Sequence, residues 1–314
     1  MPDEPRPLLY RHHVYGIVVE SDVELASLDA CTASQMDAAV SLTVEADDFF
    51  ETATRELTFD PLEWRQQILL GDGALYMRFE SLLEFVVSCD GRRVAWRRLG
   101  DADPVSFEAY LVNFALSGAL LQQGEEPLHA TVVDFGDRAV GLLGNSGAGK
   151  STLAAFLIAQ GGTLVTDDIL RMTFAPEAIL AQPGPYRLKL FDEPAQRYLP
   201  GAVSRGHFNP LSGKFMFQPT GTPPYHRHPR PLAALLLLNE APDVTLTPVS
   251  GANLVKAIIS STLISQVSTR GRLARQFDFV DRVARLLPVY ELGYPRAYSV
   301  LGQVAEKIRG TVAP

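Results

Sequence analysis

The chain has 314 residues, of which 46% are hydrophobic and 20% are charged, as in a globular protein with enough apolar mass to build a core. This length exceeds the usual size of one domain, so we expect two units. The formal net charge of −8 at pH 7 opposes nonspecific attraction to nucleic acid or anionic lipid, and we predict neither as a partner.

Targeting and membrane signals point to the cytoplasm. The leader Met1–Pro7 is polar and proline-rich, and no signal-peptide apolar region follows it. The longest purely apolar stretch, Leu232–Leu238, is too short to span a bilayer. We therefore expect a cytoplasmic protein without a membrane partner.

The first hundred residues contain short runs of β-forming residues separated by glycine turns, which predicts a small, mostly antiparallel β-rich domain over residues 1–104. Nothing in this part has the spacing of a catalytic site. The strand-like runs are His13–Ser27, Ala39–Ala46, Gln67–Leu70, Ala74–Phe79, Leu83–Ser88 and Arg93–Arg98.

The segment Val105–Gln122 repeats its apolar residues at steps of three and four, which predicts a helix with one buried face. Gly118 lies on that face and would permit close approach of a neighbouring element. We expect this helix to join the two units, so the second domain spans residues 105–314.

The second domain begins with the pattern of an α/β fold with an open parallel sheet. Residues 184–231 are rich in Gly, Pro and basic side chains, which favours mobile loops beside a site. The predicted strands are Leu128–Phe135, Ala139–Leu143, Thr163–Thr166, Leu232–Asn239 and Val289–Leu292; the predicted helices are Thr152–Gln160, Asn253–Gln266, Phe277–Leu287 and Tyr298–Arg309.

A phosphate-binding motif lies between the second of these strands and the first helix. The residues Gly144-Asn145-Ser146-Gly147-Ala148-Gly149-Lys150-Ser151 match G-x-x-x-x-G-K-[ST], and Thr152 follows them. Amides of such a loop turn toward phosphate oxygens, the lysine reaches the β- and γ-phosphates, and the Ser151 hydroxyl ligates Mg²⁺. We predict ATP and Mg²⁺ as cofactors; the alternative is a glycine-rich turn that caps a helix.

Two carboxylates follow the next strand, at Asp167 and Asp168. Only one helix and a return strand separate them from Lys150, so we expect them beside the loop, at the carboxyl ends of neighbouring strands. One carboxylate would face the metal ion while the other accepts a proton from a hydroxyl group. The alternative is a solvated helix cap.

These residues, together with Pro127-Leu128-His129-Ala130, resemble the catalytic domain of the HPr serine kinase/phosphorylase family. The resemblance runs from about Leu128 to Met172 and includes the kinase-only relatives of this family, some of which occur beside lasso-peptide genes. A weaker likeness to these relatives extends through Tyr186–Leu190 and the strand at Leu232. The fold it implies is an α/β P-loop catalytic domain of HPr-kinase type with a smaller N-terminal, mostly β domain.

The resemblance also implies roles. Asp167 would act as base toward a serine hydroxyl, His129 would hold or tune that carboxylate, and Asp168 with Ser151 would serve the metal ion; which Asp takes which task stays open. Lys150 is the third predicted catalytic residue. The implied acceptor is a peptide or small protein, and the implied assembly is a homo-oligomer.

Basic residues in the loop-rich stretch are candidates for clamping phosphate or a peptide carboxylate: Arg187 and Lys189 first, then Arg205 and Lys214. Solvated surface charges are the alternative for all four. Two further functions compete with the peptide kinase: a small-molecule kinase that uses the same crevice, and a nucleotide-binding regulatory module that transfers nothing.

Overall fold

The computed structural model describes residues 9–31, 39–60, 63–80, 82–136, 138–209, 212–218 and 228–312. It is a mixed α/β protein with several sheets. Residue contacts divide it into two compact units, Met1–Glu125 and Glu126–Pro314. The boundary expected between residues 104 and 105 therefore lies one helix earlier than the division in the structure.

The first unit is built on an eight-stranded sheet of order β3-β1-β2-β4-β8-β7-β6-β5. It is mostly antiparallel, with parallel pairs only where β4 meets β2 and β8 among the described strands. The helix α1 was not predicted, because seven residues give too short a periodic signal. The elements are β1 Tyr10–Val14, β2 Ile17–Ser21, β3 Asp29–Ala30, β4 Val40–Val44, α1 Asp47–Ala53, β5 Arg65–Leu69, β6 Leu75–Phe79, β7 Leu83–Val87 and β8 Arg93–Arg98.

The predicted helix near residues 105–122 forms as α2 Pro104–Tyr110, a π-helical segment Leu111–Ala115, and α3 Leu116–Gln122. The Asp103 carboxylate caps its start by accepting hydrogen bonds from two backbone amides. A side chain at Gly118 would place its Cβ 2.6 Å from Met77 and 3.1 Å from Val87, so glycine lets this helix pack tightly on the sheet. That packing places the helix in the first unit.

By length and composition, this same helix could cross a membrane. However, 78% of its most apolar window is buried inside the protein, as in the core helix of a globular domain. The cytoplasmic location stays a prediction.

The second unit contains a larger sheet, a three-stranded sheet, five α-helices and a short 3-10 helix, Tyr298–Val300, within its described residues. Its elements are β9 Ala130–Asp134, β10 Ala139–Leu143, α4 Lys150–Ala159, β11 Thr163–Thr166, β12 Met172–Phe174, β13 Ile179–Ala181, β14 Leu188–Leu190, α5 Asp192–Tyr198, β15 Val203–Asn209, β16 Lys214–Gln218, β17 Arg230–Glu240, β18 Thr245–Pro248, α6 Gly251–Ser261, α7 Arg270–Leu286, β19 Val289–Tyr294 and α8 Leu301–Val312.

The larger sheet differs from the expected parallel arrangement. Its order begins β11-β9-β10-β17, and β19 continues beyond β17. β10, β17 and β19 are parallel, but β9 pairs antiparallel with both β10 and β11, since a short turn joins β9 to β10. Consequently the carboxyl ends of β10 and β11 and the amino end of β9 lie at one edge.

Helices cover both faces of this sheet, which explains its nearly continuous apolar strands. Side chains of β10 alternate between two apolar clusters. Val140 and Leu142 pack with residues of α4 and α8, whereas Ala139 and Leu143 pack with residues of α6 and α7. Because the sheet is held from both sides, the edge that carries the loop is rigidly positioned.

The stretch 184–231 was predicted as mobile loops, but its described part contains α5 and the sheet β14-β16-β15. Its strands are short and interrupted by Gly and Pro, so the alternation was too brief to recognise. Residues 210–211 and 219–227 of this prediction lie outside the described residues.

Candidate functional site

The glycine-rich loop Gly144–Ser151 connects β10 to α4, the strand-to-helix context expected for the motif. Gly149 precedes the helix with φ of 88°, and a Cβ there would lie 3.0 Å from Nη1 of Arg296. Among the described residues, the amides of Gly147 and Gly149 have no protein acceptor. Such amides at a helix N-terminus suit phosphate oxygens.

Lys150 begins α4 and folds its side chain back over the loop. Its ammonium donates hydrogen bonds to the carbonyl oxygens of Gly144, at 2.6 Å, and Asn145, at 3.4 Å. Burial lowers the pKa of Lys150 to about 8, although the nearby carboxylates of Asp168 and Asp167 act in the opposite direction. Lys150 therefore stays a cation at neutral pH but loses its proton more readily than an exposed lysine does.

A cavity of about 90 Å³ lies over the loop. It brings the loop together with three predicted residues from elsewhere in the chain: His129 just before β9, Asp168 just after β11, and Lys189 on β14. Asp167 and Arg187 do not line it. The lining residues are Asn145, Ser146, Gly147, Ala148, Gly149, Lys150, Ser151, Thr152, His129, Asp168, Lys189, Leu190, Phe191 and Lys214.

Asp167 is 7% exposed, and both of its carboxylate oxygens accept hydrogen bonds. Oδ1 accepts from the hydroxyl of Thr131 at 2.6 Å, and Oδ2 accepts from the backbone amide of Lys189 at 2.8 Å. Burial, together with the neighbouring charge of Asp168, raises the pKa of Asp167 to about 6. A carboxyl group with such a pKa is poised to exchange protons near neutral pH.

Asp168 lies in a tight turn just after β11. Its φ is 69°, and the amide of Ile169 donates to the carbonyl of Asp167 at 3.0 Å, the pattern of a γ-turn centred on Asp168. Its carboxylate pairs with the ammonium of Lys189 at 2.8 Å. Burial alone would raise the pKa of Asp168, but Lys189 and the other nearby cations hold it well below the usual range. The side chain therefore stays anionic.

His129 contacts the backbone of the acidic pair rather than a carboxylate. Its Nδ1 lies 3.1 Å from the carbonyl oxygen of Asp168, which can only accept, so Nδ1 carries the proton. Burial and the charge of Lys150 lower the pKa of His129 to about 4. The ring is thus neutral at physiological pH, with Nε2 as its acceptor nitrogen.

The two predicted substrate-binding residues have different environments. Lys189 lies on β14, lines the cavity, and places its ammonium 4.1 Å from the ring centre of Phe208. Arg187 is only 7% exposed and lies outside the cavity lining. Because side chains alternate along a strand, Arg187 and Lys189 were expected on one face. In the structure only Lys189 of these two lines the cavity over the loop.

Sequence reasoning missed Thr131, which holds Asp167, and the sheet that brings the candidate Lys214 to the cavity. Thr131 lies on β9, two residues after His129, and it comes next to Asp167 only because β9 pairs with β11. Lys214 begins β16 and lines the cavity, and burial with the charge of Lys189 lowers its pKa. Its approach depends on a sheet that the sequence did not reveal.

The donor set near the loop fits Mg²⁺ in a restricted way. No group of three or more His, Cys, Asp or Glu side chains that could hold a metal ion occurs in the described ranges. Mg²⁺ is usually held by one or two carboxylates with substrate phosphates and water, so Ser151 and the anionic Asp168, which line the same cavity, are a suitable pair.

These features define an α/β protein with a candidate phosphate-binding loop, whose cavity is lined by one carboxylate of a neighbouring acidic pair. The chain is similar to an HPr kinase/phosphorylase from Azoarcus sp. (strain BH72), with 30% identity over 171 residues, 51% of this chain and 54% of the relative. The chain thus spans about half the length of the curated relative it matches. No family model matches.

The predicted resemblance to the HPr-kinase-like family is confirmed by this relative. Among solved structures, the Hpr(Ser) kinase/phosphatase from Coxiella burnetii aligns with 59% of this chain and 94% of its own, at 11% identity and a TM-score of 0.34. That structural similarity is too slight to support a conclusion. The roles of individual residues, the bound nucleotide and the assembly state remain predictions.

Proposed function

We propose that this chain is a Mg²⁺- and ATP-dependent kinase that transfers the γ-phosphoryl group to a hydroxyl, specifically a serine of a peptide or small protein. The observation that carries the proposal is the shared cavity: Lys150 of the loop and the Asp168–Lys189 ion pair line one space. A cationic cradle beside a carboxylate is what phosphoryl transfer needs, because catalysis rests on positioning and charge stabilisation. The similarity to an HPr kinase/phosphorylase supports the same class.

In this proposal the loop of the P-loop domain binds the triphosphate. Lys150 leaves the carbonyls of Gly144 and Asn145 and reaches the β- and γ-phosphates, and Lys189 and Lys214 add positive charge at the far side of the cavity. Ser151 and Asp168 would hold Mg²⁺, which when bound neutralises negative charge on the phosphates.

Asp167 is proposed as the base toward the acceptor hydroxyl. The pKa values of the two carboxyl groups are moved apart, upward for Asp167 and downward for Asp168, which separates a proton acceptor from a permanent anion. Asp168 is the second candidate for the base, because it lines the cavity and Asp167 does not. His129 would act as a positioning residue through the Asp168 carbonyl.

The first experiment follows γ-labelled ATP into peptides from a lysate. We expect Lys150→Ala to lower transfer about a hundredfold or more, because the phosphate loses its charge partner. We expect Asp167→Asn to stop transfer while nucleotide binding is largely retained. The matched control is Lys256→Ala, an exposed lysine on α6 outside the cavity, which should transfer at the wild-type rate.

The outcome also separates the alternatives. Label on a small alcohol instead of a peptide would favour a small-molecule kinase, and tight binding without transfer would favour a regulatory module. Normal transfer by Asp167→Asn would overturn the base assignment. In that case Asp168→Asn tests whether Asp168 is the base or a metal ligand. If this variant loses phosphoryl transfer and added Mg²⁺ restores it, Asp168 is a metal ligand.

A further inference from the structure

A second cavity, of about 260 Å³, opens beside the phosphate loop within the second unit. It shares Gly149 and Thr152 with the cavity over the loop and is otherwise lined by Leu153 of α4, by β19 and by the chain that follows β19. The lining residues are Gly149, Thr152, Leu153, Tyr294, Arg296, Ala297, Tyr298 and Leu301.

The two cavities lie on opposite sides of the loop-bearing strand. In the sheet order, β9 and β11 flank β10 on the side of the acidic pair, and β17 and β19 lie on the other side. A triphosphate whose terminal phosphate points toward Asp168 therefore extends its other end toward β19. The shared residues Gly149 and Thr152 make the route between the cavities continuous.

We propose that this second cavity, lined by Tyr294, Arg296 and Tyr298, binds the nucleoside portion of the triphosphate by aromatic stacking. The inference rests on the proposed function, since it assigns the end of the nucleotide that the phosphate loop does not hold. The volume is close to the lower end of small-molecule pockets, about 300 Å³, which suits part of a ligand rather than a whole nucleotide.

The aromatic surface of this cavity is already fixed in place. Tyr298 makes an edge contact with Tyr198 at 5.8 Å between ring centres, and the guanidinium of Arg197 lies 4.6 Å from the Tyr298 ring centre. Tyr294 is 3% exposed. Rings held in this way stack on a planar base without losing rotamer freedom on binding.

Arg296 links the second cavity to the loop. Its Nη1 donates to the carbonyl of Ala148 and lies 3.1 Å from the hydroxyl of Tyr294. The Arg296 side chain therefore supports the loop and borders the nucleoside cavity at the same time. Its charge also lies next to the path that the phosphate chain takes between the cavities.

The test compares the binding of Mg·ATP with that of Mg·tripolyphosphate, which carries the phosphates without a nucleoside, by calorimetry on the full chain. We expect Tyr298→Ala to weaken ATP binding about fivefold or more, as for lost base stacking, and to leave tripolyphosphate within about twofold. Ala297→Trp, which fills the cavity from an exposed position, should have the same selective effect. Tyr298→Phe keeps the ring and should bind ATP as the wild type does.

The control is Phe277→Ala, which removes an exposed aromatic ring on α7 away from both cavities. If the wild type binds both probes and neither Tyr298→Ala nor Ala297→Trp weakens ATP selectively, the nucleoside assignment falls and the proposed kinase stands. An equal loss of both probes would also overturn it, because the cavity would then only support the loop. A wild type that binds neither probe would end both proposals.

Discussion

Two adjacent side chains, Asp167 and Asp168, differ more in their surroundings than in their chemistry. The first is held by a hydroxyl group and a backbone amide, the second by an ammonium. Neutral hydrogen-bond donors offset only part of the rise in pKa that burial causes, whereas a paired cation turns that rise into a lowering. The split in pKa thus follows from the identity of the neighbours that each carboxylate meets.

A pH profile follows from these values. At a pH below about 6, Asp167 is protonated and cannot accept a proton, so kcat/KM should fall on the acid side. Above about 8, Lys150 loses its charge in the free protein, so kcat/KM should also fall on the alkaline side. The measurement is the rate of phosphoryl transfer against pH at low ATP. A rate that is flat between about pH 5 and pH 7 would contradict the role of Asp167.

The loop glycine nearest the helix gives a second prediction at this scale. Gly149→Ala puts a Cβ on a left-handed residue, which strains the loop backbone, and the new Cβ lies 3.0 Å from Nη1 of Arg296, which must shift. We expect nucleotide binding to weaken about tenfold, measured by calorimetry. Gly161→Ala has a similar φ of 91° but open space around its Cβ, so it should bind nucleotide as the wild type does; equal effects would show that strain at the loop is irrelevant.

At the scale of elements, the turn between β7 and β8 packs against the end of α3. A Cβ at Gly91 would lie 2.3 Å from the backbone oxygen of Ala119, and Gly91 has φ of 69°. Backbone cannot move aside as a flexible side chain can, and the left-handed conformation adds strain. This contact ties the β-sheet of the first unit to its helix.

Substituting three glycines by alanine separates the cost of left-handed backbone strain from the cost of the clash with the backbone of α3. Gly91→Ala should lower the free energy of unfolding by about 2–4 kcal/mol, from left-handed strain and the backbone clash together. Gly124→Ala has φ of 88° but open space, so about 1–2 kcal/mol is expected. Gly71→Ala meets neither problem and should change stability by less than about 0.5 kcal/mol. Urea unfolding measures all three; equal values for Gly91 and Gly124 would rule out the clash.

Long strands with apolar runs were predicted well from sequence, and the motif placed the loop between β10 and α4. The short turn between β9 and β10 implies that these two strands are antiparallel, but the pairing of β9 with β11 was not predictable, because alternation reports a strand and not its neighbour. For the same reason Thr131 could not be assigned to Asp167. The sheet β14-β16-β15 was missed, since its pairing joins short segments distant in sequence, and with it the approach of Lys214.

At the scale of the whole molecule, both cavities lie within the unit Glu126–Pro314. The first residue of that unit is part of its interior: the Glu126 carboxylate pairs with the buried guanidinium of Arg272 at 3.0 Å. Arg272 also donates to the backbone carbonyls of Leu263, Ile264 and Val267. The start of the second unit is thus anchored by a charge pair in its core.

A fragment of residues 125–314 should therefore fold and bind ATP with the affinity of the full chain, measured by calorimetry. Glu126→Ala in that fragment should lower the free energy of unfolding by about 3–5 kcal/mol, because a buried guanidinium loses its counterion. Glu306→Ala, an exposed carboxylate on α8, should change it little. A fragment that folds but binds no ATP would mean that residues before 125 contribute to nucleotide binding.

The hydrogen bonds from Lys150 to the carbonyls of Gly144 and Asn145 have a kinetic consequence. These bonds hold the loop in its shape before a nucleotide binds. An incoming phosphate then only replaces the two carbonyl oxygens as the acceptor of the Lys150 ammonium. Association should then proceed without an ordering step, and discrimination between nucleotides should appear in how long each one stays.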